Sequence, residues 1–459
     1  MNKLKRLNAI VIVMVMLFVS VGATVNVDAA SIRLSKKSVT LQVGKTVTLK
    51  VKGTKKKVVW TSSNKKIVTV SKKGKVKAKK KGTAYIIAKV GKKKLKCKVR
   101  VKAKAAPAPA PKVTPLTGYW TKDSAAAESL RKYVEKVTNP ADKANFIPVK
   151  DRIAVFDMDG TLTCETYYTY YDTMMFIEYC LKDHPDEVSE ELKEAAREIN
   201  PEYKAGEELA RNFAKAYAGM TIQELYDYAV EFGQRYTSSF NNMRYIDGFY
   251  LPMVELVKYL YENDFTIYVV SGTERTTTRA IVANSPIRDY VTPSHVIGTE
   301  FEVKQKGYKD VSSNMDYKYA DGDELVFTGG FVQKNLNSNK VIFIEKEIGQ
   351  RPVLAFGNSG SDTSMMNYAI DHRNPYPAQA YMIVADDPVR EWGTKDWATE
   401  AAKYEAMNYV PISMQNDFAK IYPDNITRAD EQYHEEEWLP TEVVDTPAEE
   451  EETALDDAA

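Results

Sequence analysis

The chain has 459 residues, and its 64 Lys or Arg against 62 Asp or Glu leave a formal net charge of +2. That length exceeds one ordinary core and points to two or three folded units. Three cysteines, Cys97, Cys164 and Cys180, exclude a disulfide-stapled scaffold, so stability must come from packed cores; a single Cys164–Cys180 bridge and free buried thiols are both open.

At the N-terminus, Lys3, Lys5 and Arg6 precede an apolar run from Ala9 to Val21, and the small residues Ala29 and Ala30 follow. This is the layout of a secretory signal peptide over residues 1–30, and it predicts an exported protein. The run is shorter than the roughly 20 residues a spanning helix needs, which favours cleavage over an uncleaved anchor.

The small net charge conceals an asymmetry. From Ser31 to Lys104 there are 27 Lys or Arg and no Asp or Glu, so the remainder carries a comparable negative excess. Within residues 31–102, short alternating segments read as strands: Ile32 to Leu34, Val39 to Val43, Val47 to Val51, Val58 to Thr61, Ile67 to Val70, Val76 to Ala78, Ala84 to Val90 and Leu95 to Val101. Glycines 44, 53, 74, 82 and 91 punctuate them, a spacing that predicts a small β-sandwich. Trp60 with Thr61-Ser62-Ser63-Asn64, the Gly74-Lys-Val-Lys-Ala block and Gly82-Thr-Ala give the segment a close resemblance to the bacterial immunoglobulin-like group 2 domain. Without acidic residues such a module carries a strong positive field. The expected partners are anionic cell-wall polymers such as teichoic acids, or a membrane surface, with retention at the bacterial cell surface; nucleic acid is not an expected partner outside the cell.

Alternating Ala and Pro from Ala105 to Pro111 favour extended polyproline geometry, so residues 103–117 read as a semi-rigid linker. Residues 118–425 mix helical and strand patterns. Residues 426–459 form a tail that is acidic and poor in apolar side chains from Glu435 onward, and it is expected to be disordered.

The informative pattern in the large region is where its apolar runs stop. Ile153 to Phe156 ends in Asp157-Met158-Asp159-Gly160-Thr161, Phe265 to Val270 ends in Ser271-Gly272-Thr273, and Val353 to Phe356 ends in Gly357-Asn358-Ser359-Gly360-Ser361-Asp362. In doubly wound parallel α/β sheets ligands bind beyond the carboxyl ends of the strands, so these groups should converge on one crevice. The chemistry fits phosphoryl transfer. Asp157 would attack phosphorus once a metal and a cation offset the repulsion between a carboxylate and an anionic phosphomonoester. Asp159, two residues on and facing the same way, would protonate the leaving group and later activate water. Gly160, Thr161, Gly272 and Thr273 would line the phosphate, Ser271 would donate a hydroxyl, and Lys340 would balance charge, with Lys346 as its alternative. Asp157, Asp159, Asn358 and Asp362 make a hard oxygen set suited to Mg2+.

These four segments, in this order, resemble the motifs of the haloacid dehalogenase superfamily, over roughly Asp151 to Asp387. The likeness is to the branch containing phosphoserine and phosphorylcholine phosphatases, because a long insertion separates the first two motifs. It implies a Rossmann-like sheet with a helical cap over residues 165–245, and a phosphatase, since Asp159 is absent from the dehalogenases and replaced by Lys in the ion pumps. The sequence departs from many members at Asn358, where they carry Asp, so weaker metal affinity is implied. That departure leaves a second class open, a surface-binding protein with a silent site.

In the insertion, Ser189 to Ile199 and Lys204 to Met220 have helical spacing. Tyr167, Tyr168, Tyr170 and Tyr171 follow the nucleophile loop. They could cage a quaternary ammonium by cation–π attraction, as phosphorylcholine would need, or pack cap against core. Asp172 and Glu178 could instead receive an amino group, as a phosphoserine-like substrate requires. Val296 to Val303 and Glu324 to Gln333 alternate like strands around Gly329-Gly330 and resemble the β-hairpin this branch carries before the third motif, with Tyr308 to Asp323 as a loop at the crevice rim.

Overall fold

The computed structural model describes residues 31–102, 116–200 and 206–432. The expected signal peptide, nearly all of the expected linker and the acidic end of the tail lie outside these. The chain divides into two compact units, Met1–Ala110 and Pro111–Ala459.

In the first unit a four-stranded sheet runs in the order Ser38–Gln42, Lys93–Lys102, Gly82–Val90, Val58–Ser62, beside a three-stranded sheet of Thr46–Thr48, Lys75–Ala78 and Val68–Val70. Alternation along Lys93–Lys102 explains how so basic a segment folds. Cys97, Val99 and Val101 enter the core, and Lys96, Lys98, Arg100 and Lys102 face solvent, as the two-residue period of a strand dictates. Gly74, at φ +78°, is required by sterics as well as conformation: a Cβ there would stand 2.4 Å from the Leu49 carbonyl oxygen and 3.0 Å from the Trp60 ring.

The second unit is built on a seven-stranded sheet. Its strands are β1 (Ile153–Phe156), β2 (Thr266–Glu274), β3 (Val296–Gln305), β4 (Leu325–Gln333), β5 (Leu354–Gly357), β6 (Gln379–Val384) and β7 (Val410–Ser413), in the order β4-β3-β2-β1-β5-β6-β7. All pairs are parallel except β3 with β4. Every residue of β1 and β5 is buried, which is why both read as unbroken apolar runs. Phe156 stacks on Phe356 at 4.3 Å between centroids, fixing β1 beside β5. The chain leaves β1 toward β2 on one side and returns through β5 on the other, so the topological switch point lies between them, beyond Phe156 and Gly357.

Between β1 and β2 lie the helices α1 (Tyr171–Glu178), α2 (Glu190–Arg197), α3 (Glu207–Ala216) and α4 (Ile222–Gly233). Ser189 caps α2 through the Leu192 amide, and Thr221 with Glu224 forms a capping box on α4. The expected hairpin is β3 with β4; Gly329, at φ +87°, lies inside β4 rather than at its turn. The folded part also runs past residue 425: Thr427–Arg428 pairs with Phe240–Asn241, and Gln432 Nε2 donates to the Thr166 carbonyl at 3.1 Å. All three cysteines are free and buried, so the Cys164–Cys180 bridge is absent. Among the described residues no helix is long and apolar enough to cross a membrane.

Candidate active site

Three strand ends and one helix meet at the switch point. Asp157 follows β1, Ser271 lies in β2, Asp362 closes the short turn Gly360–Asp362 after β5, and Lys340 sits in the first turn of α5 (Ser338–Glu347). Val341-Ile342-Phe343 is therefore helical, although its apolar run resembles a strand. Lys340 is fully buried, and its ammonium donates to Asp157 Oδ1 at 2.5 Å, Asp362 Oδ1 at 2.7 Å and the Val270 carbonyl at 2.8 Å. Burial alone would depress this lysine, but Asp157 and Asp362 reverse the effect and hold it above its ordinary value. Lys346 is exposed and lies over the Phe343 ring, outside the site.

Asp157 also accepts from Thr161 Oγ1 at 3.2 Å. Burial, then the Asp362 charge, raise its carboxyl to about 7 against the pull of Lys340. Asp159 accepts from Thr273 Oγ1 at 2.9 Å through Oδ2, and its Oδ1 is buried without a partner. Burial, then Asp172 and Asp157, push the Asp159 carboxyl well above the usual carboxylate range. Ser271 Oγ accepts from the Thr273 amide at 3.0 Å, and the Gly272 carbonyl accepts from Thr299 Oγ1 at 2.6 Å, so the end of β2 is held by its own serine and by a threonine of β3. Gly160 has φ +76°, and a Cβ there would fall 1.8 Å from Asn358 Nδ2, so only glycine fits between the first and fourth motifs.

The structure thus brings Asp157, Asp159, Ser271, Thr273, Lys340, Asn358 and Asp362 together, and corrects two of the roles expected for this region. Asp362, expected to bind metal, has both oxygens engaged: Oδ1 takes Lys340, and Oδ2 takes the Asn358 and Ser359 amides at 3.1 Å each. It holds the lysine and the turn. Tyr167, expected to touch substrate, is fully buried, and its hydroxyl donates to the Tyr245 carbonyl at 2.9 Å, so it belongs to the core. Tyr168 is partly buried and packs against that same core. Burial and then the carboxylates Glu165, Asp159 and Asp157 raise Tyr170. Glu178 is spent on Arg235, whereas Asp172 remains beside Thr273.

Two residues carried no sequence signal. Glu165 Oε1 accepts from Asn358 Nδ2 at 2.8 Å, and burial raises its carboxyl to about 7 despite Lys395. Lys334, directly after β4, is 9 % exposed, and burial lowers it against the pull of Asp172 and Asp159.

Residues 154–367 match the family described as haloacid dehalogenase-like hydrolase, and residues 28–99 match the bacterial Ig-like domain (group 2). No curated protein matches the chain significantly. Similar solved structures include a conserved functionally unknown protein from Anaerococcus prevotii DSM 20548, with 14 % identity over 65 % of this chain and 95 % of that one at a TM-score of 0.40. A phosphoserine phosphohydrolase-like protein from Francisella tularensis subsp. tularensis SCHU S4 has 15 % identity over 57 % of this chain and 94 % of its own, TM-score 0.30. The S-layer protein SbsC has 27 % identity over 17 % of this chain and 13 % of that one, TM-score 0.15.

Proposed function

From the premise that the chain carries a haloacid dehalogenase-like hydrolase domain behind a bacterial Ig-like domain, we propose that it hydrolyses phosphomonoesters through an aspartyl-phosphate on Asp157. One observation carries this reading: the buried Lys340 ammonium holds the Asp157 carboxylate in place at the switch point.

Asp157 attacks phosphorus as the leaving-group oxygen departs. Asp159, whose carboxyl is pushed well above the usual carboxylate range by burial and then by Asp172 and Asp157, gives a proton to the leaving oxygen. The carboxylate left behind then accepts a proton from the water that hydrolyses the acyl phosphate. Thr273 orients Asp159 through its hydroxyl, and Lys340 orients Asp157 and offsets its charge. Ser271 and the amides of the Gly160 turn border the space the phosphoryl group would fill.

The family implies a magnesium ion, and the residues fit one. Carboxyl groups outnumber lysines in the crevice, and the Asn358 side-chain oxygen accepts no hydrogen bond among the described residues, while the Asp159 Oδ1 is unpartnered. No three carboxylates, thiols or imidazoles converge on one point among the described residues, so Asp157 and the Asn358 amide would hold the ion with water completing its shell. When bound it would supply Lewis-acid polarisation of the phosphoryl oxygen.

The substrate is a small phosphorylated metabolite, phosphorylcholine-like or phosphoserine-like, with Tyr170 and Asp172 on the cap helix nearest the site to choose between them. The sequence of residues 1–30 supports export, and the basic Ig-like unit supports ionic retention on anionic wall polymers or the membrane surface. Hydrolysis of an aryl phosphate with magnesium tests the central reading: Asp157→Asn should lose about 10³-fold or more in kcat, as removal of a nucleophile does. Equal turnover by the two proteins would refute it.

A further inference from the structure

The ion that Asp157 and the Asn358 amide would hold meets little negative charge on its ligands. Lys340 lies 2.5 Å from Asp157 Oδ1 and offsets that carboxylate, Asp362 has both oxygens engaged, and Asn358 is neutral. The affinity of a hard cation follows the charge count of its site. One more carboxylate is bonded directly to this set: Glu165 Oε1 accepts from Asn358 Nδ2 at 2.8 Å.

The pair has a direction. A carboxylate has no donor, so it takes the amide nitrogen and turns the amide oxygen, the end a cation can use, to the other side. Both partners are held by their backbones. The Asp157 amide donates to the Phe356 carbonyl at 2.9 Å, the Asn358 amide to Asp362 Oδ2 at 3.1 Å, and Lys395 Nζ to the Asn358 carbonyl at 3.3 Å, which sets Asn358 beside the nucleophile. Around Glu165, the Cys164 amide donates to the Gly248 carbonyl at 2.8 Å and Thr166 Oγ1 to Glu391 Oε2 at 2.9 Å. The two side chains close over the turn that follows Asp157 and Asp159: a Cβ on Gly160 would stand 1.8 Å from Asn358 Nδ2 and 2.6 Å from Glu165 Oε2. The turn therefore has glycine where the pair needs room.

We propose that Glu165 is the outer carboxylate of the magnesium site, fixing the Asn358 amide with its oxygen toward the ion and supplying, one hydrogen bond behind, the negative charge that an asparagine lacks. This rests on the phosphomonoesterase reading, which brings the ion. Glu165 acts through Asn358, so it is a positioning residue.

The test is Mg2+ binding to the full chain by calorimetry, with the rise in melting temperature that Mg2+ produces as a second readout. Glu165→Gln keeps an oxygen for the Asn358 amide and removes only the charge. It should weaken Mg2+ about 10- to 100-fold, the scale of losing an outer partner of a metal ligand, and shrink the Mg2+-dependent rise in melting temperature. Melting without Mg2+ should stay at or above the wild-type value, because fewer carboxylates then crowd the crevice; a purely structural glutamate would give a fall. Adding Asn358→Asp to Glu165→Gln swaps donor and acceptor across the same bond and restores the charge, so affinity should return to within about threefold of wild type. Asn358→Asp alone sets two carboxylates against each other, and it should melt below the wild type without Mg2+ and recover when Mg2+ is added; this reads the same contact should Glu165→Gln not fold. Affinity within about twofold of wild type in Glu165→Gln, no recovery in the double variant, or a wild type that hydrolyses the ester without binding Mg2+ overturns this assignment alone. A wild type that neither binds Mg2+ nor hydrolyses any monoester overturns the phosphatase reading and this assignment with it.

Discussion

Lysine is used in opposite ways in the two units. In the Ig-like unit Lys96, Lys98, Arg100 and Lys102 line one face of a strand, in a segment with no acidic residue to pair them. In the catalytic unit Lys340 is fully buried and spans two carboxylates and a carbonyl. An exposed unpaired field acts at a distance and is screened by salt, whereas a buried pair acts over one bond length and is not. The first arrangement suits loose attachment to an anionic surface. The second suits chemistry.

Removing Lys340 should have the largest effect. Lys340→Met leaves Asp157 and Asp362 buried without their counter-charge, so stability should fall by about 3–5 kcal/mol, read by denaturant melts. A loss under about 1 kcal/mol would mean the pair is more hydrated than its burial implies. Next comes pH. Asp157 must be ionised to attack, and its raised value means the ionised fraction is present above about 7 and lost as pH falls through it. The acid limb of kcat/KM should therefore drop about tenfold per unit below that point, and more magnesium should move the limb to lower pH, because a bound cation favours the carboxylate. A limb near 4 at low magnesium contradicts the burial argument. Salt separates the units directly. Between 0.15 and 1 M the screening length falls from ~8 to ~3 Å, so binding to anionic wall material should collapse while kcat/KM stays nearly constant. Wall binding that survives 1 M salt would argue for specific contacts in the Ig-like unit. The smallest effect is expected at Tyr167→Phe, a loss of about 1 kcal/mol in stability from the missing hydrogen bond to the Tyr245 carbonyl, with little change in KM. A large change in KM would return this tyrosine to the substrate pocket.

Much of the catalytic unit was legible because β1 and β5 are buried on both faces and so read as unbroken apolar runs stopping at polar groups. Lys340 was found by its place in a motif, but its helix was not: Val341, Ile342 and Phe343 are β-branched or aromatic and mimic a strand. The tyrosines after the nucleophile loop were ambiguous because burial in the core and burial under a ligand demand the same side chain. Only the hydroxyl partners decide, and Tyr167 finds its own in a backbone carbonyl from the far end of the insertion. Glu165 and Lys334 were silent for another reason. Each is an isolated charge with no local pattern, and only the meeting of distant strand ends sets Glu165 against Asn358 and ties the chain after β4, through Asn335, to Ser271.

The three acceptors of Lys340 belong to three neighbouring strands, since Asp157 follows β1, Val270 lies in β2 and Asp362 follows β5. One side chain therefore rivets the middle of the sheet together as well as serving the reaction. An inactive protein for capturing a bound metabolite is better made as Asp159→Asn: an amide of nearly the same shape removes the proton donor while sparing the rivet.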